Sequence, residues 1–472
     1  MARKPAVTID NLKELGSDKL AQLVFSEAAQ NAGFARLVGA ALAGQAGPEA
    51  IAKLVDRRLA GLDRARGFVD WNKVAAFRDD LQSTVDMISA ELLARAPALA
   101  LDRLLRFIAT HKAVFERIDD SSGAIQNVYY DAIERTGEAT AKLSEAEAEL
   151  VPGKIMAALG DRTHGYLLEV GDAVAATLPQ GTLARWEDDL VQIQTQNDLA
   201  EQDQSDFTDY GSSQIRDLRQ TIAIARGDLD TLIALEAQKQ PHVQDTVGIA
   251  ERLFAAGRAT DALEWVRRPG RSGWDPSKGA GTSLRARLEA RILTALGDKA
   301  AAQDLRWQAF EQTLDVDVLR EHVAALADFA EFDVLDRAFA HALGQADRTK
   351  ALEFLMAWPR RDLAARLIVN RATEWDGNQY YTLPPIAEAL EDEFPLAATI
   401  LYRALLDDIL LKARSKAYPY AARYLKRLGQ IATDIQSDPL RPNAIPDHAA
   451  YLAALERNHA RKVGFWASVA RV

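Results

Sequence analysis

Residues 79–95 read DDLQSTVDMISAELLAR, and their spacing decides the fold class. The apolar positions Leu81, Val85, Ile88 and Leu92 step by four, three and four. An α-helix turns once in about 3.6 residues, so this spacing draws one apolar stripe along one helical face. A strand would alternate with a period of about two, and such runs are nearly absent from the chain. The same stripe recurs at Leu104, Ile108 and Phe115, and again at Leu363, Ala364, Leu367 and Ile368. Each stripe needs cover, and neighbouring helices are the available cover. The pattern predicts an all-α protein with roughly two thirds or more of its residues helical.

Composition agrees. The chain has 472 residues, 48% hydrophobic and 26% charged, with 27 Gly and 16 Pro. Alanine, leucine and arginine are among the commonest residues, and all three are strong helix formers. The length exceeds that of a typical single domain, so two domains or one extended repeat array is expected. There is no cysteine, which excludes disulfides, thiolate metal sites and a cysteine nucleophile. The opening MARKPAVTID lacks the apolar core of a secretory signal, and no window approaches about 18 uninterrupted apolar residues. A cytoplasmic protein with no membrane partner is the expectation.

A weak internal repeat refines the architecture. ARGDLDTLIALE, AAGRATDALEWV and ALGDKAAAQDLR align on Gly227, Gly257 and Gly297. Ala262 and Ala302 follow the second and third glycines, and Ala250 and Ala290 precede them. A glycine that closes a helix in the left-handed conformation, flanked by small residues that let two helices approach, marks a helical hairpin. The units look like degenerate tetratricopeptide repeats, so the expected fold is a tetratricopeptide-like helical-repeat solenoid with an N-terminal helical region. The polar segment Thr195–Ser213 reads as the boundary, giving an N-terminal region over 1–200 and a repeat region over 201–472. Its acidic side chains lack the spacing of an EF-hand loop, so a solvated linker is the simpler reading.

The stretch PGRSGWDPSKGAG, residues 269–281, crowds glycines with basic residues, as a phosphate-binding loop would. A phosphate loop needs lysine directly after its last glycine and a strand in front. Here Lys278 precedes Gly279, Pro276 removes a backbone donor, and the helix ALEWVRR comes before. It reads as a connection between hairpins.

An ordered set of local patterns carries a family resemblance. FVDW at Phe68–Trp71, DDSSG at Asp119–Gly123, ALGDKAAAQDLRWQAFEQTL at Ala295–Leu314 and PLAATILYRALLDDIL at Pro395–Leu410 come first. YPYAARYLKRL and HARKVGFW, the latter at His459–Trp466, close the series. Together they resemble a bacterial domain-of-unknown-function family of helical proteins. They are also similar to the helical region that accompanies SWIM-type zinc fingers. The resemblance implies a helical-repeat fold and no established activity. The zinc finger's metal and DNA-binding role does not transfer, because its ligands are cysteines.

Candidate sites are few. The DDSSG turn could chelate a cation, but Ser and Asp beside a flexible glycine more simply cap a helix. The seven histidines show no i, i+4 pair, and no GxSxG elbow exists to use one. His111 and His459 sit on apolar stripes, the latter with Leu452, Leu455, Val463 and Trp466. No metal or cofactor site is expected, and elemental analysis of purified protein should find no stoichiometric zinc or iron.

The strongest local feature is KARSKAYPYAARYLKRLGQ. Lys412, Arg414, Lys416, Arg423, Lys426 and Arg427 follow one another with no acidic residue between them, and Tyr418, Tyr420 and Tyr424 interleave. From Leu410 to Val472 the chain carries 11 Lys or Arg against 4 Asp or Glu, although its net charge is −11. Basic and aromatic groups together suit a single-stranded nucleic-acid groove. They equally suit docking on acidic helices of the same chain or on a protein partner, where Tyr and Arg are enriched. The interaction candidates are Lys412, Arg414, Lys416, Tyr420, Arg423, Tyr424, Arg427, His459 and Trp466. The expected function is a non-catalytic helical-repeat scaffold for a protein or peptide partner. A nucleic-acid-associated factor using the basic patch is the alternative. An enzymatic reading has no visible catalytic constellation, and the oligomeric state is open.

Overall fold

A computed structural model describes residues 7–160, 166–202, 210–270, 280–327, 329–435 and 445–471. Helix accounts for 77% of these residues. The β pairing among them is an isolated parallel bridge between Val69 and Ile118. The chain is all-α, as its periodicity predicts.

The opening stripe is buried as read. Leu81, Val85, Ile88 and Leu92 are all fully enclosed. One local feature is absent from the pattern. The Val74–Met87 helix runs into a π-helical turn, Ile88–Leu92, where the Leu93 N–H reaches back five residues to the Ile88 carbonyl at 3.1 Å. The wider turn admits one extra residue per cycle, so Leu92 and Leu93 are both buried.

The DDSSG turn is a cap. Asp120 accepts from the backbone N–H of Gln126 at 2.9 Å and of Ile125 at 3.1 Å, holding the start of the Ala124–Thr140 helix. Gly123 takes the left-handed conformation at φ 69°, which a side chain would resist.

The chain forms two compact units, 1–240 and 241–472. In the first, one core runs from Ala40 to Ile222. The polar segment Thr195–Ser213 does not divide it as the sequence suggested. Thr195 to Gln202 continues the Gln180–Gln202 helix, and the Tyr210–Arg226 helix sends Ile215, Leu218 and Ile222 into the same core as Trp186 and Leu190. Arg219 bonds Glu187 at 2.8 Å and Gln194 at 2.6 Å, tying these two helices together. Residues 203–209 lie outside the described residues.

The repeat glycines do what their spacing implied. Gly227, Gly257 and Gly297 have φ of 69°, 78° and 91°. They join Tyr210–Arg226 to Leu229–Ala237, Thr246–Ala255 to Ala259–Arg267, and Ala280–Ala295 to Lys299–Thr313. Ala250, Ala262, Ala290 and Ala302 are all fully buried at the close approach of the paired helices. The glycine-rich loop over 271–279 lies outside the described residues.

In the second unit the core extends from Ala286 to Phe465. His322 is buried there, its ring 5.6 Å from that of Trp307. Burial, with repulsion from Arg306 and Arg337, holds its imidazole below the ordinary range. Protonation therefore favours the unfolded chain. The stability His322 contributes is complete above its unfolded pKa of about 6.5 and is lost as pH falls below it. The urea midpoint should drop between about pH 7.5 and pH 5.5, and by less in His322→Gln. Equal drops in both proteins would show that His322 is not the sensor.

Candidate functional site

The Tyr418–Gln430 helix decides where the basic, tyrosine-rich segment points. Proline near its first turn suits helix initiation, because that N–H has no intrahelical partner. Ala421, Ala422, Leu425 and Leu428 are buried, and Ala421, Leu425 and Leu428 join the second unit's core. The opposite face therefore presents Tyr420, Arg423, Tyr424 and Arg427, spaced i, i+3, i+4 and i+7.

These four line a cavity of about 910 Å³. The loop before the Leu383–Leu390 helix closes another side with Gly377, Asn378, Tyr380 and Tyr381. Tyr402, Leu405 and Ile409 of the Pro395–Leu411 helix form the floor, and Arg414 and Glu388 flank it. Gly377 makes the close fit possible. An added Cβ would stand 2.0 Å from the Ala404 carbonyl oxygen, so only glycine lets the loop lie on that helix.

Part of the cavity's tyrosine surface is already engaged. Tyr402 and Tyr424 stack with centroids 5.5 Å apart, and the Arg423 guanidinium lies 4.5 Å from the Tyr420 ring centroid. Tyr380 and Tyr381 touch each other at 4.5 Å, and Tyr381 remains 83% exposed. The Tyr402 hydroxyl donates to Glu391. Burial and that carboxylate push the Tyr402 phenol up, and burial does the same to Tyr424. Both stay protonated at neutral pH and can donate hydrogen bonds.

Much of the patch's positive charge is answered within the fold. Lys412 and Arg414 face Asp408 at 2.6 and 3.2 Å, and Arg414 also donates to Asn378 at 2.8 Å. Arg427 lies 3.5 Å from Glu391 and 3.9 Å from Glu388. Among the described residues, Arg423 and Lys416 have no carboxylate within ion-pair distance.

Of the sequence candidates, Arg414, Tyr420, Arg423, Tyr424 and Arg427 meet at the cavity. Lys412 and Lys416 do not line it. His459 and Trp466 lie elsewhere. The indole N–H of Trp466 donates to the His459 carbonyl at 3.0 Å, closing a corner between the His448–His459 and Val463–Val469 helices. That corner also corrects the apolar stripe proposed there. The helix stops at His459, Val463 is exposed, and Phe465 is the buried residue. His111 is a core residue, with Nδ1 3.0 Å from the Ile108 carbonyl oxygen and its ring 5.0 Å from Tyr166. Sequence reasoning missed Gly377, Asn378, Tyr380, Tyr381, Glu388 and Tyr402. The doublet in NQYYTLPP, just before a proline-led helix, was the available signal for the loop.

Among the described residues, no group of three or more His, Asp or Glu side chains is placed to hold a metal. None of their helices is long and apolar enough to cross a membrane. The profile of the family of unknown function DUF6880 matches residues 2–468. The chain belongs to that family. No curated protein and no solved structure matches it. For a DUF6880 chain, the functional reading therefore rests on the cavity's own chemistry.

Proposed function

We propose that this DUF6880 chain is a non-catalytic scaffold that holds a peptide segment of a protein partner in the tyrosine–arginine cavity. The observation that carries the reading is the convergence of five tyrosines and three arginines on one open cavity of about 910 Å³. Tyrosine presents a large, rigid, amphipathic surface, and with arginine it dominates the energetic centres of protein interfaces. Apart from Glu388, the ionisable side chains of the lining are phenols and guanidiniums, and the raised Tyr402 and Tyr424 phenols bind rather than move protons at neutral pH. The hairpins closed by Gly257 and Gly297 in the second unit support a tetratricopeptide-like stacking there, an architecture that commonly presents peptide-binding surfaces. The likeness to the helical region beside SWIM zinc fingers adds no zinc site, because the chain has no cysteine.

The nucleic-acid alternative draws less support. Base recognition on a single strand uses free aromatic faces and unpaired cations along the backbone. Here Tyr402 and Tyr424 cover each other, Arg423 covers Tyr420, and Lys412, Arg414 and Arg427 already face carboxylates.

Selection of a random peptide display library on the immobilised full chain tests the reading. Enrichment on the wild type and its loss on a Tyr381→Ala, Tyr420→Ala double variant is the expected result. Failure to enrich any sequence would reject it. Submicromolar, salt-sensitive binding of a labelled single-stranded RNA would replace it with the alternative, since each neutralised phosphate releases counterions.

The Arg423→Glu, Arg427→Glu double reversal bears on stability as well. It should cost roughly 1 kcal/mol, because a half-exposed ion pair is lost and like charges face Glu388 and Glu391. An unchanged urea midpoint would show that Arg427 contributes nothing to this corner of the fold.

A further inference from the structure

We infer that the peptide held by this cavity is acidic, and that Arg423 and Arg427 together clamp one of its carboxylates. The inference rests on the peptide-binding reading and specifies its partner's chemistry. The two arginines stand i, i+4 on the Tyr418–Gln430 helix and open into the same cavity. Side chains at that spacing are neighbours, within reach of one bound anion.

Their environments prepare them for different parts of the task. Arg423 has no carboxylate in ion-pair range among the described residues, and its guanidinium is held over the Tyr420 ring at 4.5 Å. A charged fork fixed in position loses little freedom when a carboxylate docks. Arg427 is loosely held. Its contacts to Glu391 and Glu388 are 3.5 and 3.9 Å long, and the Glu388 side chain is 70% exposed. Glu391 already accepts the Tyr402 hydroxyl, which keeps it beside the floor of the cavity. An arriving carboxylate can therefore draw Arg427 toward Arg423 while Glu388 turns to solvent.

Charge complementarity selects a short acidic segment over a polyanion. A nucleic-acid backbone repeats its charge along the whole groove and needs a matching run of free cations. This cavity supplies one unpaired and one weakly paired guanidinium at a single point. One aspartate or glutamate satisfies them. The exposed Tyr380, Tyr381 and Tyr420 then offer hydroxyls to the peptide backbone on either side.

The test compares peptides selected from the display library on wild type with those selected on Arg423→Gln. Asp or Glu should be enriched at one position on wild type and not on the variant. A synthetic peptide of the leading sequence should bind Arg423→Gln at least tenfold more weakly, by calorimetry. Replacing its acidic residue with Gln or Asn should weaken binding to the wild type by the same factor. Arg423→Lys, which keeps the charge and loses the fork, should fall between. Because Arg423 is exposed, these variants keep the fold, and circular dichroism checks it. Neutral or basic peptides that bind both proteins equally would overturn the acidic-partner inference and leave the peptide reading standing. A library that yields no sequence would overturn both. Tighter binding of single-stranded RNA than of any selected peptide would overturn the inference in favour of a polyanion.

Discussion

Gly377→Ala is expected to lose roughly 3 kcal/mol of stability and to open the loop wall of the cavity at the same time. The new Cβ would meet the Ala404 carbonyl oxygen at 2.0 Å, the Ala404 carbonyl carbon at 2.6 Å and the Asp408 Cβ at 2.6 Å. None of these is the free end of a flexible side chain. Ala404 lies inside the Pro395–Leu411 helix, whose neighbours are core residues. The loop must lift instead, taking Asn378, Tyr380 and Tyr381 with it and breaking the 2.8 Å bond from Arg414 to Asn378. Urea denaturation should show the lower midpoint, and the selected peptide should bind more weakly. A variant with wild-type stability and affinity would mean that the loop does not rest on that helix.

Phe310→Ala should cost roughly 3–5 kcal/mol, the range for truncating a fully buried phenylalanine. The ring is enclosed, with Trp307, Phe354 and His341 at centroid distances of 5.6, 5.3 and 6.1 Å. The cavity left behind loses the dispersion contacts of all three neighbours at once. Phe310→Leu, which retains most of the volume, should cost under about 1.5 kcal/mol. Chemical denaturation monitored by tryptophan fluorescence reports both, since Trp307 adjoins the ring. Equal losses in the two variants would point to the aromatic contacts rather than the filled volume.

Half of the candidate site was legible before any coordinates. Tyr420, Arg423, Tyr424 and Arg427 share a face because helical periodicity is a local property, and the apolar residues between them show which face turns inward. The other half comes from residues far away in the chain. Nothing around Tyr402 announces that it will stack on Tyr424, or that its hydroxyl will hold Glu391 beside Arg427. Arg427 is answered by Glu388 and Glu391 from a distant stretch of chain, whereas Asp408, which answers Lys412 and Arg414, is a neighbour one turn back and within reach of sequence reading. The basic run therefore looked freer in sequence than it is in the fold.

The boundary between the units shows the same limit in another form. The polar stretch Thr195–Ser213 reads as a linker because it lacks an apolar stripe. The helices on either side of it nevertheless send side chains into one core.

The helical class, the hairpin turns at Gly227, Gly257 and Gly297, and the cap at Asp120 are all legible in local stretches of sequence. Each depends on residues within a few positions of one another, where backbone sterics and 3.6-residue periodicity act alone. Long-range packing sets Gly377 against Ala404, parts the two units at Gln240–Pro241 and selects which of the basic residues face a common cavity. Those outcomes depend on how side chains from distant helices fill shared space. Packing of that kind is a property of pairs of surfaces, and no single stretch of chain contains both members.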